Sequence, residues 1–167
     1  MSGAHRETDP GKRRDAARKS RRLWALAAGV WTLVIWGHSL LPAAQSSAES
    51  SWVMEAMAPL LALTGLAPDC WHTLVRKLAH MTEFALLGTF WTAALPLSGA
   101  GGCSTEKDRA CRVLLTCVLI ALVDETIQLF VPGRSSQVTD VWIDALGAAI
   151  GLGAALLLGK WKRRMER

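Results

Sequence analysis

The chain has 167 residues, 51% of them hydrophobic and 20% charged, with a mean hydropathy of +0.24 and a formal charge of +5. This composition excludes intrinsic disorder over most of the length and makes a single domain the natural count. Eight tryptophans without a tyrosine, five methionines and long apolar runs also exclude an ordinary soluble domain. They exclude a nucleic-acid partner as the first explanation of the positive charge, which has to be taken by position and not as a total.

Residues 1–22 are polar and basic, with Asp9-Pro10-Gly11 as a turn, and are expected to form a disordered tail running into a short helix against anionic lipid. Four apolar stretches follow at 23–41, 78–97, 113–131 and 138–158, each near the ~20 residues that a ~30 Å hydrocarbon core requires. The first exceeds the ~7–15-residue apolar region of a cleaved signal peptide. It reads as an uncleaved anchor, although Pro42-Ala43-Ala44-Gln45 offers small residues for cleavage. Next, Ser46-Ser47-Ala48-Glu49 has capping-box spacing and precedes Trp52, Val53, Ala56, Met57, Leu60 and Leu61 at helical intervals, interrupted by Pro59. This predicts an amphipathic helix in the outer interface. Pro68-Asp69 opens the helix of the second span, with Asp69 as its N-cap. Ser98-Gly99-Ala100-Gly101-Gly102 is a flexible linker, and residues 160–167 form a second basic tail. The expected fold is all-α: a polytopic four-transmembrane-helix bundle over residues 23–159, with an amphipathic interfacial helix between the first two spans.

The basic residues orient the chain. Arg6, Lys12, Arg13, Arg14, Arg18, Lys19, Arg21 and Arg22 precede the first span, Lys107, Arg109 and Arg112 lie between the second and third, and Lys160, Lys162, Arg163, Arg164 and Arg167 follow the fourth. Sixteen of the 19 lysines and arginines thus fall on one side, against Arg76, Lys77 and Arg134 on the other. The positive-inside rule puts the richer side, and both termini, in the cytoplasm beneath a plasma (inner) membrane. Cys70 is then alone outside, Cys103 and Cys111 lie in or beside the reducing cytoplasm, and Cys117 is within a span, so no disulfide framework follows. No Cys/His spacing matches a structural zinc site.

Polar residues concentrate at the outer ends of spans two, three and four. Lys77, His80 and Glu83 share one face of the second helix, which continues to Leu87 and Trp91. On the third, Asp124 and Glu125 precede Gln128 by about a turn, and Pro132-Gly133 ends the helix. On the fourth, Asp140, Asp144, Gly147 and Gly151 form a stripe whose two glycines serve helix packing, because small residues at that spacing let a neighbour approach closely. All lie within about two turns, or ~11 Å, of the outer surface. The three faces should therefore converge on one outward-opening pocket of Lys77, His80, Glu83, Asp124, Glu125, Gln128, Arg134, Asp140 and Asp144. Arg134 is expected to reach in and pair with Glu125 or Asp140, since an unpaired guanidinium beside lipid is costly. Five carboxylates stand against Arg76, Lys77, Arg134 and the titratable His80, so not every acid is cheaply ionised.

The run Lys77-Leu78-Ala79-His80-Met81-Thr82-Glu83-Phe84-Ala85-Leu86-Leu87-Gly88, followed by Asp124-Glu125, Gln128, Arg134, Asp140, Asp144 and Gly147, resembles the VanZ-like family of small polytopic membrane proteins. The resemblance runs from about Arg22 to Gly159 and consists of spaced polar motifs on separate helices. Phe84 stands where the family often has Tyr, which removes a hydroxyl from the expected cavity, and Asp144 stands where Asn is common, which adds a negative charge. The resemblance implies a link to teicoplanin resistance through the protein that gives the family its name. It implies no established biochemical activity.

Three classes of function remain. The leading one is a non-catalytic envelope protein that binds or shields a membrane lipid or lipid-linked cell-wall precursor, or meets a lipoglycopeptide; it needs no cofactor and no metal. The alternative is an intramembrane hydrolase or transferase on a lipid-linked substrate, with His80 as acid/base and Glu83, Glu125 and Asp140 holding a divalent metal or activating water. Against it stands the lack of a nucleophile elbow, phosphate loop or zincin motif. A proton-coupled transporter comes last, because the inner halves of the spans lack a matching polar path and no internal repeat is visible.

Overall fold

The computed structural model describes residues 9–42, 68–96, 105–134 and 137–165. Among these residues there are four helices and no strand: α1 (Pro10–Ser39), α2 (Pro68–Ala94), α3 (Glu106–Leu129) and α4 (Val138–Met165). The all-α class is as expected. The interfacial helix expected around Ser46 to Leu61, the Ser98 to Gly102 linker and Cys103 lie outside the described residues.

Local chemistry sets the helix ends. Asp9-Pro10-Gly11 starts a helix instead of forming a turn: the Asp9 carboxylate accepts from the Gly11 N–H at 2.9 Å, and Pro10 occupies the first helical position, where its missing N–H is not needed. α1 therefore runs unbroken for 30 residues, and the basic segment expected as a disordered tail leading to a short helix is, from Pro10 onward, the first part of the apolar helix itself. α2 begins at Pro68, so Asp69 sits inside the first turn and not at the N-cap. α3 opens with a capping box that the sequence reading overlooked, in which Thr105 and Asp108 exchange side-chain to backbone hydrogen bonds of 3.0 Å. It stops at Leu129, and Gly133, at φ 78°, supplies the left-handed residue of the turn after Pro132.

The principal packing partners are α2 and α4; α1 lies on α2 and, less extensively, on α3, and α3 also packs on α4. Glycines explain how closely α2 and α4 meet. A Cβ at Gly147 would fall on the Met81 carbonyl oxygen, at Gly151 on that of Ala85, and at Gly88 on that of Ala148. Thr89 Oγ1 ties the same crossing by donating to the Gly151 carbonyl at 3.2 Å. Ile35, Phe84, Leu87, Cys117, Ala148 and Leu152 form the apolar core shared by all four helices.

Away from the basic start of α1 and the basic end of α4, every helix exposes large apolar side chains, with Leu26, Leu33, Leu78, Leu119, Leu129 and Ile150 all exposed, while Asp124, Glu125, Gln128 and Asp144 are buried. A water-soluble fold has the opposite distribution. Hydroxyls of Thr32, Thr82, Thr92, Thr116 and Thr126 each donate to the carbonyl one turn back, which satisfies them without water. Among the described residues α4 is the helix long and apolar enough to cross a membrane by length and composition. The other three are less apolar than their run lengths suggest, because α1 carries Trp24, Trp31, Trp36 and His38 and α2 and α3 carry the charged residues of the cluster. Of the four expected spans, one thus meets that criterion.

Candidate functional site

α1 ends at the polar cluster and contributes two groups that the sequence reading missed. His38 Nδ1 lies 3.0 Å from Glu83 Oε1 on α2, and the buried Ser39 hydroxyl accepts from Gln128 Nε2 on α3 at 3.3 Å. The available signal was a histidine and a serine closing an otherwise apolar run. Carbonyls at the end of α1 lie at the negative end of the helix dipole and keep acceptor capacity for a cation, the His38 carbonyl beyond the Leu41 N–H that it accepts at 3.2 Å. Arg134 serves them, its Nε donating to the Leu41 carbonyl and its Nη2 to the His38 carbonyl, each at 3.0 Å.

The expected pairing of Arg134 with Glu125 or Asp140 is therefore not made. Asp140 Oδ1 instead meets Lys77 Nζ at 3.0 Å, and Glu125 Oε2 accepts from the backbone N–H of Gln137 at 3.0 Å, holding the entry to α4. The acids still reach Arg134 through space. Its pKa is lowered chiefly by burial and then by Arg76, against opposing charges on Asp124, Glu125 and Glu83.

At the centre are two fully buried aspartates, Asp124 and Asp144. Gln128 Nε2 donates to Asp124 Oδ2 at 3.0 Å, and His80 Nδ1 lies 4.0 Å from that oxygen and 4.0 Å from Glu83 Oε2. Asp124 Oδ1 and both carboxylate oxygens of Asp144 are buried without a hydrogen-bond partner among the described residues. One donor atom each from His80, Asp124 and Asp144 lie within 4.8 Å of one another, so these three could hold a metal ion. A narrow cleft between α2 and α4, lined by Arg76, Lys77, His80, Asp140, Ile143 and Asp144, opens onto this group.

The expected polar residues thus gather at one end of the bundle, and with the two packing glycines they divide into four arrangements. Lys77, His80, Asp140 and Asp144 border the cleft. Glu83, Asp124 and Gln128 join α1, α2 and α3 through His38, His80 and Ser39. Glu125 and Arg134 fasten the turn between α3 and α4, and Gly147 and Gly151 are contact points of the backbone. The opposite end holds a second cavity, whose lining includes Thr92 and Leu156 of the expected second and fourth spans, Gly159, and Arg109 and Arg163 of the expected cytoplasmic loop and tail.

Fold and site define a class: an all-helical bundle with an apolar exterior and a polar cluster, incompletely hydrogen-bonded, drawn from all its helices at one end. The VanZ/LLP1 family matches residues 24–159, and the chain belongs to that family. Searches of the curated proteins and of the solved structures return no match. Both departures from the family pattern have a visible setting. Phe84 is fully buried in the apolar core, so the missing hydroxyl takes nothing from the cleft; the additional charge at Asp144 is the one whose oxygens lack partners.

Proposed function

We propose that the protein is a multi-pass component of the plasma membrane, with four spans and both termini cytoplasmic, and that it holds the headgroup of an envelope lipid or lipid-linked cell-wall precursor in the cleft between α2 and α4. Shielding that headgroup lowers susceptibility to teicoplanin. The observation that carries this reading is the cleft itself, which sets Lys77, His80, Asp140 and Asp144 beside an exterior of exposed leucines. Such a surface suits a ligand whose polar head enters a protein site while its chains stay in the bilayer. Both signs of charge are present, so the site favours a head that accepts from Arg76 and Lys77 and donates to Asp140.

A second reading rests on His80, whose Nδ1 stands 4.0 Å from two carboxylates, an arrangement suited to a general acid/base in a hydrolase or transferase acting on a lipid-linked substrate. One experiment tests both. Wild type, Glu83→Gln, Asp140→Asn and His80→Asn are expressed at equal membrane abundance, and teicoplanin susceptibility and co-purified lipid are compared. Binding predicts that the two carboxylate variants lose protection and lipid while His80→Asn is milder. An enzyme predicts that His80→Asn retains lipid and loses turnover. Unchanged susceptibility and lipid in every variant would leave the cluster as a helix-locking device.

A further inference from the structure

We propose that His80, Asp124 and Asp144 form a binding site for one divalent transition-metal cation, set where α2, α3 and α4 meet at the inner end of the cleft. The first argument is the cost of the arrangement without one. Burying a carboxylate oxygen with no donor is expensive, and three such oxygens are buried at this junction, Asp124 Oδ1 and both of Asp144. Each other acid of the cluster is engaged: Glu83 with His38, Glu125 with the Gln137 N–H, Asp140 with Lys77. For that reason the Glu83, Glu125 and Asp140 set is not the metal site, although sequence alone favours it for an enzyme.

Geometry and charge agree. Nitrogen and oxygen ligands stand at about 2.0–2.2 Å from such a metal, so donors on opposite sides of it are roughly 4 Å apart. A 4.8 Å spread among the three donors closes with modest side-chain rotation. A divalent cation supplies the opposite charge that buried carboxylate oxygens without donors call for. Gln128 holds Asp124 by its other oxygen, as outer-shell partners of metal ligands do, and leaves Oδ1 free. One imidazole with two carboxylates suits Zn²⁺ or Mn²⁺ better than Ca²⁺ or Mg²⁺, which favour all-oxygen shells. His80 and Asp144 also line the cleft, so a coordination position on that side is open to water or to an oxygen of a ligand.

The test uses the full chain purified in detergent, with Zn²⁺ or Mn²⁺ alone as the probe. Wild type should retain one metal per chain after desalting, measured by elemental analysis, and Zn²⁺ should raise its melting midpoint relative to chelator. Asp144→Asn and Asp124→Asn should weaken binding at least ~100-fold, since even outer-shell changes cost about 10–100-fold, while Glu106→Gln at the opposite end should bind as wild type does. Pulsed EPR of the Mn²⁺ form should show a nitrogen coupling that His80→Gln removes. Folded wild type that holds neither metal at one per chain, or an Asp144→Asn protein that binds as tightly, overturns the proposal and leaves protons as the charges that balance the aspartates. Because no lipid is present, the result is independent of whether the lipid-binding reading holds.

Discussion

Replacing Gly151 by alanine should separate the two helices that carry the cleft. In the structure the new Cβ would lie against the Ala85 carbonyl, with the Ala85 carbonyl carbon at 2.7 Å, whereas ordinary contact begins near 3.4 Å. Relief at the carbonyl carbon alone requires a shift of about 0.7 Å, the difference between those two distances, and the nearer carbonyl oxygen requires a larger one. The Thr89 Oγ1 bond to the Gly151 carbonyl, already 3.2 Å, cannot survive such a shift along its own direction. Overpacking costs about 1–3 kcal/mol and the lost hydrogen bond about 0.5–1.5 kcal/mol, so a destabilisation of roughly 1.5–4.5 kcal/mol is expected. Gly153→Ala on the same helix is the matched control: nothing lies within 4 Å of its Cβ, and losing a helical glycine should be neutral or stabilising by up to about 1 kcal/mol. Thermal unfolding of both variants in one detergent compares them directly. Equal melting midpoints would refute the claim that Gly151 is required for backbone contact between α2 and α4.

Topology is checked by reporters fused after Arg167 and within Ser98 to Arg112, which should read cytoplasmic, and by a cysteine placed at Ser47, which should be labelled from outside; a cytoplasmic Ser47 inverts the site. Arg134→Lys keeps the charge but loses the fork that spans two carbonyls, so hydrogen exchange at the end of α1 should quicken and stability should fall by about 1.5–3 kcal/mol. No change in exchange there would remove Arg134 as the fastener of α1. A double-mutant cycle of Lys77→Met and Asp140→Leu should give a coupling energy of about 0.5–3 kcal/mol, given a 3.0 Å contact that is largely shielded, and a coupling near zero would mean the pair contributes nothing to the fold. Gln128→Leu leaves Asp124 Oδ2 without its donor, so metal affinity should drop about 10–100-fold if Asp124 is a ligand held in place by Gln128.

Periodicity made much of this legible. Asp140, Asp144, Gly147 and Gly151 lie on one stripe by spacing alone, and the structure uses the two acids at the cleft and the two glycines in backbone contact. The Pro132-Gly133 stop was likewise visible in local chemistry. Pairing was not, because it depends on where the end of α1 lies. Once α1 brings its C-terminal carbonyls beside the α3–α4 turn, Arg134 goes to them and leaves Asp140 to Lys77. His38 and Ser39 were hidden for the same reason: a polar pair at the end of an apolar run has meaning only when its neighbours are known. The start of α1 misled because Asp-Pro-Gly serves a turn and a helix N-terminus equally well, and only the Asp9 contact to the Gly11 N–H decides between them.

The two seams of this bundle differ in mechanical character. α2 meets α4 through main-chain atoms at three glycines, a junction with little freedom to slide, whereas the C-terminal end of α1 is fastened by side chains, through the Arg134 fork and the pairs His38 to Glu83 and Ser39 to Gln128. The first seam carries Lys77, His80, Asp140 and Asp144, and the second carries His38 and Ser39. The cleft lies on the main-chain seam, so the glycine contacts set its width, whereas releasing the side-chain latches of α1 would uncover Glu83 and Gln128 without widening it.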